Sequence, residues 1–194
     1  MLVLTSRVSA PSSIVTPLSS VAPPEGSIVV PDDFSTIQEA VDNAPEGGIV
    51  FVRSGSYRER VRVNKPLSLI GESPENTDIS VSLPYRAYAA IEVQTEDVTI
   101  SGFTIKNTYD GIWITEEYQM PLPSRCRIIG NNIVDNFFDG IFIEAGENHV
   151  ISGNNITGNG DSGIYSSSTN IVISGNNITG NGGSENVTIN NNNI

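Results

Sequence analysis

From Ile49 onward, hydrophobic residues alternate with polar ones in short runs, and Gly, Asn, Asp or Ser separates one run from the next. Alternation with period two and an abundance of β-branched residues predict short β-strands. The clearest runs read IVFV, RVRV, LSLI, AIEV, VTIS, FTIK and GIWI. Strands this short need a neighbour on both edges, so the pattern predicts extensive strand pairing.

The polar residues between the strands recur with a period. Asn-Asn-Ile occurs at 131–133, 154–156, 176–178 and 192–194, with spacings of 23, 22 and 16 residues. One repeat of about 22 residues holds two or three short strands, and stacked repeats bury a continuous core that no single repeat could bury. The period therefore predicts an all-β fold, a parallel β-helix of about six or seven turns, which we call coils.

Alignment of the coils stacks isoleucine on isoleucine at the positions predicted to face inward. Three such columns contain Ile100, Ile128, Ile151 and Ile173; Ile105, Ile133, Ile156 and Ile178; and Ile112, Ile141 and Ile164. A fourth inward column contains Val98, Cys126, His149 and Ile171. Stacked aliphatic columns are what the core of such a coil requires, so these residues are the predicted core.

The N-terminal part of the chain differs from the repeats. Residues 1–26 are rich in Ser and Pro and predict a flexible leader, followed by a single β-helix domain at 27–194. One helix is predicted at Thr36–Ala44, with Ser35 and Gln38 spaced as a capping box. No capping segment follows Ile194, so we expect a longer parent chain or end-to-end pairing of β-helices.

The segment IQEAVDNAPEGGIVFVRSGSYRERVRVNKPLSLIGE, residues 37–72, resembles the N-terminal cap and first coil of pectin-lyase-like proteins. This pattern is similar to that of pectin methylesterases and of the NosD-type periplasmic copper-binding β-helix family. The later ISGNNITGNG copies are similar to the repeats of that second family. The resemblance covers roughly residues 27–194 and implies a right-handed parallel β-helix with a short N-terminal capping helix. These motifs are structural parts of the coil, so they indicate fold more than function.

The catalytic motifs of the enzyme families with this type of coil are absent from the sequence. It lacks the Q-D, D-F-I-F-G and G-R-P-W strings of pectin methylesterases and the D-P-H-D string of alginate epimerases. A copper-handling role, which the NosD resemblance implies, calls for His, Met or Cys ligands, and the chain has one His, two Met and one Cys. The enzymatic and the copper hypotheses therefore both lack their expected residues.

Charge and hydropathy narrow the set of partners. Ten basic and 22 acidic residues give a net charge of -12, which opposes binding to nucleic acid. No apolar run approaches the roughly 18 to 20 residues of a membrane span. With only two lysines, the exterior is built largely from Ser, Thr, Asn and Asp. We expect an extracellular, periplasmic or cell-surface protein.

Three aromatic residues form the candidate glycan-binding site. Trp113, Phe142 and Tyr165 occupy the same position in GIWI, GIFI and GIYS, between inward isoleucines. They should therefore form an outward stripe about 10 Å long, since adjacent coils lie roughly 4.8 Å apart. Such a stripe suits stacking on sugar rings. The alternatives are cover by the leader or by the loop at 115–125, or a protein contact.

The aspartates of two Asp-Gly pairs are the candidate catalytic residues. Asp110 and Asp139 occupy matching positions and could serve as acid and base on a polysaccharide, with Arg86 or Arg125 nearby. Their oxygens could instead hold Ca²⁺. The favoured interpretation is turn chemistry, because Asp-Gly is common in turns.

Cys126 and His149 should be vertical neighbours that face inward, and such a pair suits copper or zinc. A buried thiol beside a neutral imidazole is the favoured interpretation. Asn131, Asn154 and Asn176 share one column and predict a structural ladder of side-chain hydrogen bonds.

The leading functional hypothesis is a non-catalytic extracellular or cell-surface module that binds a polysaccharide, a surface glycan or a protein through an outward face, with no required cofactor. The alternative is a carbohydrate-active enzyme, meaning a polysaccharide lyase, epimerase or hydrolase. A third hypothesis, implied by the resemblance alone, is copper handling of the NosD type.

Overall fold

A computed structural model describes residues 21–81, 89–115, 122–183 and 187–189. These residues form one helix, α1 (Ile37–Asn43), and three sheets. The first sheet contains β1 (Ile28–Val30), β2 (Gly48–Val52), β5 (Leu67–Gly71), β8 (Thr99–Ser101), β11 (Arg127–Ile129), β14 (Val150–Ser152) and β17 (Val172–Ser174). The second contains β3 (Gly55–Tyr57), β6 (Thr77–Ser80), β9 (Thr104–Lys106), β12 (Asn132–Val134), β15 (Asn155–Thr157) and β18 (Asn177–Thr179). The third contains β4 (Val61–Val63), β7 (Ala89–Val93), β10 (Asp110–Ile114), β13 (Ile141–Ile143), β16 (Ile164–Ser166) and β19 (Val187–Ile189).

The chain visits the three sheets in turn, and each circuit is one coil. From β2 to β19, every third strand belongs to the same sheet. Neighbouring strands in each sheet are parallel and come from consecutive coils. This arrangement confirms the predicted all-β parallel β-helix, and the part of the chain described here forms six complete coils.

The predicted isoleucine columns are confirmed by the register of the strands. Ile128 pairs with Ile100 below it and Ile151 above it in the first sheet. The second sheet aligns the column at Ile133 and the third sheet aligns the column at Ile141 in the same way. These side chains are buried at the centre of the coil, except that Ile173 and Ile178 of the last described coil are partly buried. The alternation of inward isoleucines with outward residues therefore fixes which side chains each sheet presents to the exterior.

Helix α1 packs against the first coils, with Ile37, Ala40 and Val41 buried beneath it. The predicted capping box is shifted by one residue. Thr36 is the N-cap, and its hydroxyl accepts a hydrogen bond from the Glu39 N–H at 3.2 Å. The reason is that the backbone of Thr36 is still extended, with φ -126° and ψ 154°, as an N-cap residue requires.

Some predicted features fall outside the described residues. These are positions 1–20 of the leader, Arg86, and the final Asn-Asn-Ile at 192–194. Within the described ranges, no helix has the length and apolar character needed to cross a membrane.

Candidate functional site

Three aromatic side chains stack on the outward face of the third sheet. Trp113 pairs in register with Phe142, and Phe142 with Tyr165, on β10, β13 and β16. The Trp113 and Phe142 ring centroids lie 6.3 Å apart with an interplanar angle of 22°, and those of Phe142 and Tyr165 lie 5.2 Å apart at 52°. We call these three residues the aromatic column.

The exposure of the aromatic column differs from the expected open stripe. Trp113 is only 7% exposed, whereas Phe142 and Tyr165 are partly exposed. The indole stacks on Phe142 on one side, and its register partner on the other side is Glu92. Glu92 is itself buried and forms an ion pair with Arg60. The accessible part of the column is therefore at Phe142 and Tyr165, and Trp113 supports it from one end.

Asp110 and Asp139 lie at the corner between the second and third sheets, where each carboxylate binds the coil above. Asp110 Oδ1 accepts a hydrogen bond from the Asp139 N–H at 3.0 Å, and Asp139 Oδ1 accepts one from the Ser162 N–H at 2.8 Å. Both side chains are buried, and burial raises the pKa of Asp110 to about 7 and that of Asp139 to about 6. The two carboxyl groups therefore cap backbone amides in a water-poor corner.

Arg125 is not brought to these aspartates. It lies at a different corner, before the first-sheet strand β11. There its guanidinium forms ion pairs with Glu96 at 2.7 Å and Asp97 at 2.8 Å. Hydrogen bonds to these two carboxylates raise the pKa of Arg125 above its usual range. The predicted grouping of an arginine with the acidic pair is therefore wrong for Arg125.

Cys126 and His149 are vertical neighbours inside the coil, at the entry to the first sheet. His149 Nδ1 accepts a hydrogen bond from the backbone N–H of Cys126 at 3.3 Å, and His149 Nε2 lies 3.2 Å from the Ala145 carbonyl oxygen. Burial lowers the pKa of His149 and raises that of Cys126 to about 12. These contacts fit a neutral imidazole that donates from Nε2. No cluster of three or more His, Cys, Asp or Glu side chains suited to a metal occurs among the described residues.

Two ladders of asparagine side chains satisfy buried backbone groups, one at the corner between the first and second sheets and one at the corner that also holds Asp139. In the first ladder, Asn154 Oδ1 accepts from the Asn131 N–H at 2.9 Å, and Asn176 Oδ1 accepts from the Asn154 N–H at 2.9 Å. The sequence reasoning missed a second ladder with the same bonding, formed by Asn136, Asn159 and Asn181. Its signal was present, because each member follows a first-ladder asparagine by five residues.

An exposed aromatic cluster was also missed. Phe137 and Phe138 lie beside Asp139 at the corner between the second and third sheets, and Tyr109 lies one coil earlier. The Tyr109 and Phe138 rings stack with centroids 4.3 Å apart. The available signal was the presence of two phenylalanines where the next coil has Gly160 and Asp161.

The three parallel sheets and the stacked corners between them define the class of protein. Residues 75–194 match the family described as the right handed beta helix region, and the chain belongs to this family. The coil is therefore the right-handed, pectin-lyase-like parallel β-helix that the sequence predicted.

Individual relatives are similar over part of their length. A cell surface glycoprotein of Methanothermus fervidus is 30% identical over 109 residues, which cover 55% of this chain and 17% of that protein. A probable pectinesterase of Arabidopsis thaliana is 29% identical over 93 residues, covering 42% of this chain and 32% of that protein. A pectin methylesterase structure from Aspergillus niger has a TM-score of 0.61 at 18% identity, covering 80% of this chain and 60% of the other. The chain thus spans a third or less of the curated relatives that it matches.

Proposed function

We propose that this protein is a non-catalytic extracellular or cell-surface module that binds a glycan through the outward face of its third sheet. The observation that carries the proposal is the aromatic column, because Phe142 and Tyr165 are partly exposed and lie on adjacent coils. Aromatic faces provide apolar contact for sugar rings, and the Tyr165 hydroxyl adds a polar group. The similarity to a cell surface glycoprotein and to a probable pectinesterase supports a surface location and a carbohydrate partner.

The environment of the acidic pair supports binding without turnover. Asp110 and Asp139 each use a carboxylate oxygen to cap an amide of the next coil. Arg125 is held at another corner by Glu96 and Asp97. General acid and base catalysis needs carboxyl groups that reach the substrate, and these two are at most 8% exposed.

The test is a glycan array followed by calorimetric titration of the best neutral and acidic oligosaccharides. Phe142→Ala and Tyr165→Ala should each weaken binding by about tenfold, because each removes an aromatic contact worth roughly 1 kcal/mol or more. Val172→Ala is the matched control, since Val172 is an exposed apolar residue on the first sheet. Binding that both aromatic variants retain would contradict the proposal.

A carbohydrate-active enzyme is the second candidate, and one observation favours it. The pKa values of Asp110 and Asp139, raised to about 7 and about 6, are in the range used by catalytic acids. The same oligosaccharides should therefore be assayed for new reducing ends and for unsaturated products. Turnover that Asp110→Asn and Asp139→Asn both abolish would favour the enzyme over the binding module.

A further inference from the structure

The exposed aromatic cluster at the corner between the second and third sheets lies apart from the aromatic column. Phe137 and Phe138 are 58% and 43% exposed, and Tyr109 is 36% exposed. Large aromatic side chains exposed together are unusual on a protein surface and often mark an interaction site. The packing of the hydrophobic core does not require them, since their neighbours Asn136 and Asp139 fill the buried corner positions.

The coils above this cluster leave one side of it open. The Phe138 N–H donates to the Tyr109 carbonyl oxygen at 2.8 Å, and the Asp161 N–H donates to the Phe138 carbonyl oxygen at 3.1 Å, so these three residues are stacked in line. Tyr109 covers one face of the Phe138 ring. On the other side, the next two coils contribute only Asp161 and Gly183 to this line. Within the described residues of this line, the coils above Phe138 therefore carry no side chain larger than that of an aspartate.

The neighbouring line of residues, which contains Phe137, also has an aromatic residue with small residues in the coils above it. The Phe137 N–H donates to the Thr108 carbonyl oxygen at 2.9 Å in the coil below. In the two coils above, this line contains Gly160 and Gly182. Both approach the preceding coil so closely that a Cβ at either position would collide with its backbone. We call Phe137, Phe138 and Asp161 the corner step: two aromatic rings at the edge of a coil, beside an exposed carboxylate and below glycines.

The corner step has the chemistry of a sugar-binding subsite. A pyranose ring presents an apolar face of C–H groups and a rim of hydroxyl groups. Each phenyl ring has a flat apolar face, and the Asp161 carboxylate accepts hydrogen bonds from hydroxyl groups. An apolar plane combined with a single strong acceptor fits a sugar ring better than it fits a hydrophobic peptide, which would leave that carboxylate unpaired.

Charge determines which sugars fit. Residues 128–194 contain six acidic residues and no Lys or Arg. A uronate placed on the step would bring its carboxylate close to Asp161 with no protein cation on these coils to offset the repulsion. We propose that the corner step is a subsite for an uncharged sugar residue of the bound glycan. This inference rests on the proposed function and adds to it the class of sugar and a second point of contact.

The experiment compares neutral oligosaccharides of glucose, xylose or mannose with a galacturonate oligosaccharide by calorimetric titration. For the neutral ligand that binds best, Phe138→Ala should weaken binding about tenfold, and Asp161→Ala should weaken it about fivefold. Phe137→Ala is a second probe of the same surface, and Val172→Ala is the control. Circular dichroism and thermal melts establish that each variant keeps the fold.

The outcomes separate this inference from the proposed function. Preference for the neutral ligand together with losses in Phe138→Ala and Phe137→Ala supports both. If Phe142→Ala loses binding while both corner variants bind as tightly as the parent, the corner subsite is refuted and the proposed function stands. Tighter binding of the galacturonate ligand also refutes the neutral subsite alone. If neither these oligosaccharides nor any glycan of the array binds, both proposals are wrong.

Discussion

Asp110 and Asp139 occupy corner positions that do the same work as the asparagines of the two ladders. In both cases a side-chain oxygen accepts a hydrogen bond from a backbone N–H of the next coil. The difference is that a carboxylate carries a charge into a buried site, and burial disfavours that charge. Replacing a buried aspartate by asparagine should therefore keep the acceptor and remove the cost of ionisation.

The pH dependence of stability follows from the raised pKa values of these two residues. Their folded-state pKa values, about 7 and about 6, lie above the unfolded value of 3.8, so the native state binds their protons more tightly. The stability that these two protonated carboxyl groups contribute is present in full below about pH 4. It is lost as the pH rises through 6 and 7 and the groups ionise. The double variant Asp110→Asn/Asp139→Asn should match the parent at pH 4. At pH 8 it should be more stable by at least about 2 kcal/mol, since one pKa unit corresponds to roughly 1.4 kcal/mol.

Urea unfolding of the parent and the double variant between pH 4 and 8 measures this difference. Asp135→Asn is the control, because Asp135 is exposed near the same corner. A difference between variant and parent that stays constant with pH, or that grows toward pH 4, would contradict the expected linkage.

Helix α1 depends on a residue from the coil that it covers. The Glu59 carboxylate accepts hydrogen bonds from the N–H groups of Ile37 and Gln38, both at 3.0 Å. These are N-terminal amides of the helix that have no partner within it. A carboxylate also interacts favourably with the positive end of the helix dipole. Glu59 therefore joins the capping helix to the first coil, 21 and 22 residues further along the chain.

We expect Glu59→Ala to lower the free energy of unfolding by roughly 1 to 2 kcal/mol, the usual cost of losing a side-chain helix cap. Chemical denaturation monitored by circular dichroism is the measurement. Glu46→Ala removes an exposed carboxylate in the turn after the helix and should change stability little. Equal losses in the two variants would show that the Glu59 contacts add nothing beyond a surface charge.

Charge is distributed unevenly over the whole molecule. The net charge is -12, and every Lys and Arg lies within residues 1–127. The ion pairs that offset part of this charge involve the early coils, for example Arg53 with Asp32 and Lys106 with Asp78. The later coils therefore carry unbalanced negative charge, which destabilises the compact state through self-repulsion.

Added salt should therefore stabilise the protein. Screening at about 0.15 M ionic strength shortens the range of the repulsion to roughly 8 Å. We expect the Tm to rise with NaCl, by about 2 to 4 °C for each kcal/mol that screening adds to the free energy of unfolding. Differential scanning calorimetry is the measurement. A variant carrying Asp135→Lys and Glu147→Lys, both at exposed positions, should respond less to salt. A Tm that falls as salt is added would mean that the ion pairs outweigh the repulsion.

Much of the fold was predictable because a solenoid repeats its local rules. Ile100, Ile128 and Ile151 could be aligned without a structure, since each coil contributes one residue to each column. Asn131 and Asn154 could be assigned to a shared corner for the same reason. The N-cap was misplaced by one residue, because Ser35 and Thr36 are both good caps and the backbone conformation chooses between them.

The candidate site was predicted less completely, because exposure depends on more than register. The outward column of Trp113, Phe142 and Tyr165 followed from alternation, but the burial of Trp113 depends on contacts with the rest of the molecule. The exposure of Phe138 depends on the small residues that the next two coils place in line with it. Spacing alone could not exclude Arg125 from the acidic pair, because the path of the coil places it at another corner.

The sequence by itself determined that the chain forms a coil, how many residues each coil contains, and which residues form the aliphatic core. The reason is that a repeat of about 22 residues and a hydrophobic alternation with period two are properties of the chain alone. Tertiary structure alone decided which outward residues are exposed to solvent, which carboxylates accept hydrogen bonds from backbone amides, and which residue anchors the helix. The physical reason is that burial and hydrogen bonding at the corners arise between coils, from side chains of unequal size that only the stacked structure brings together.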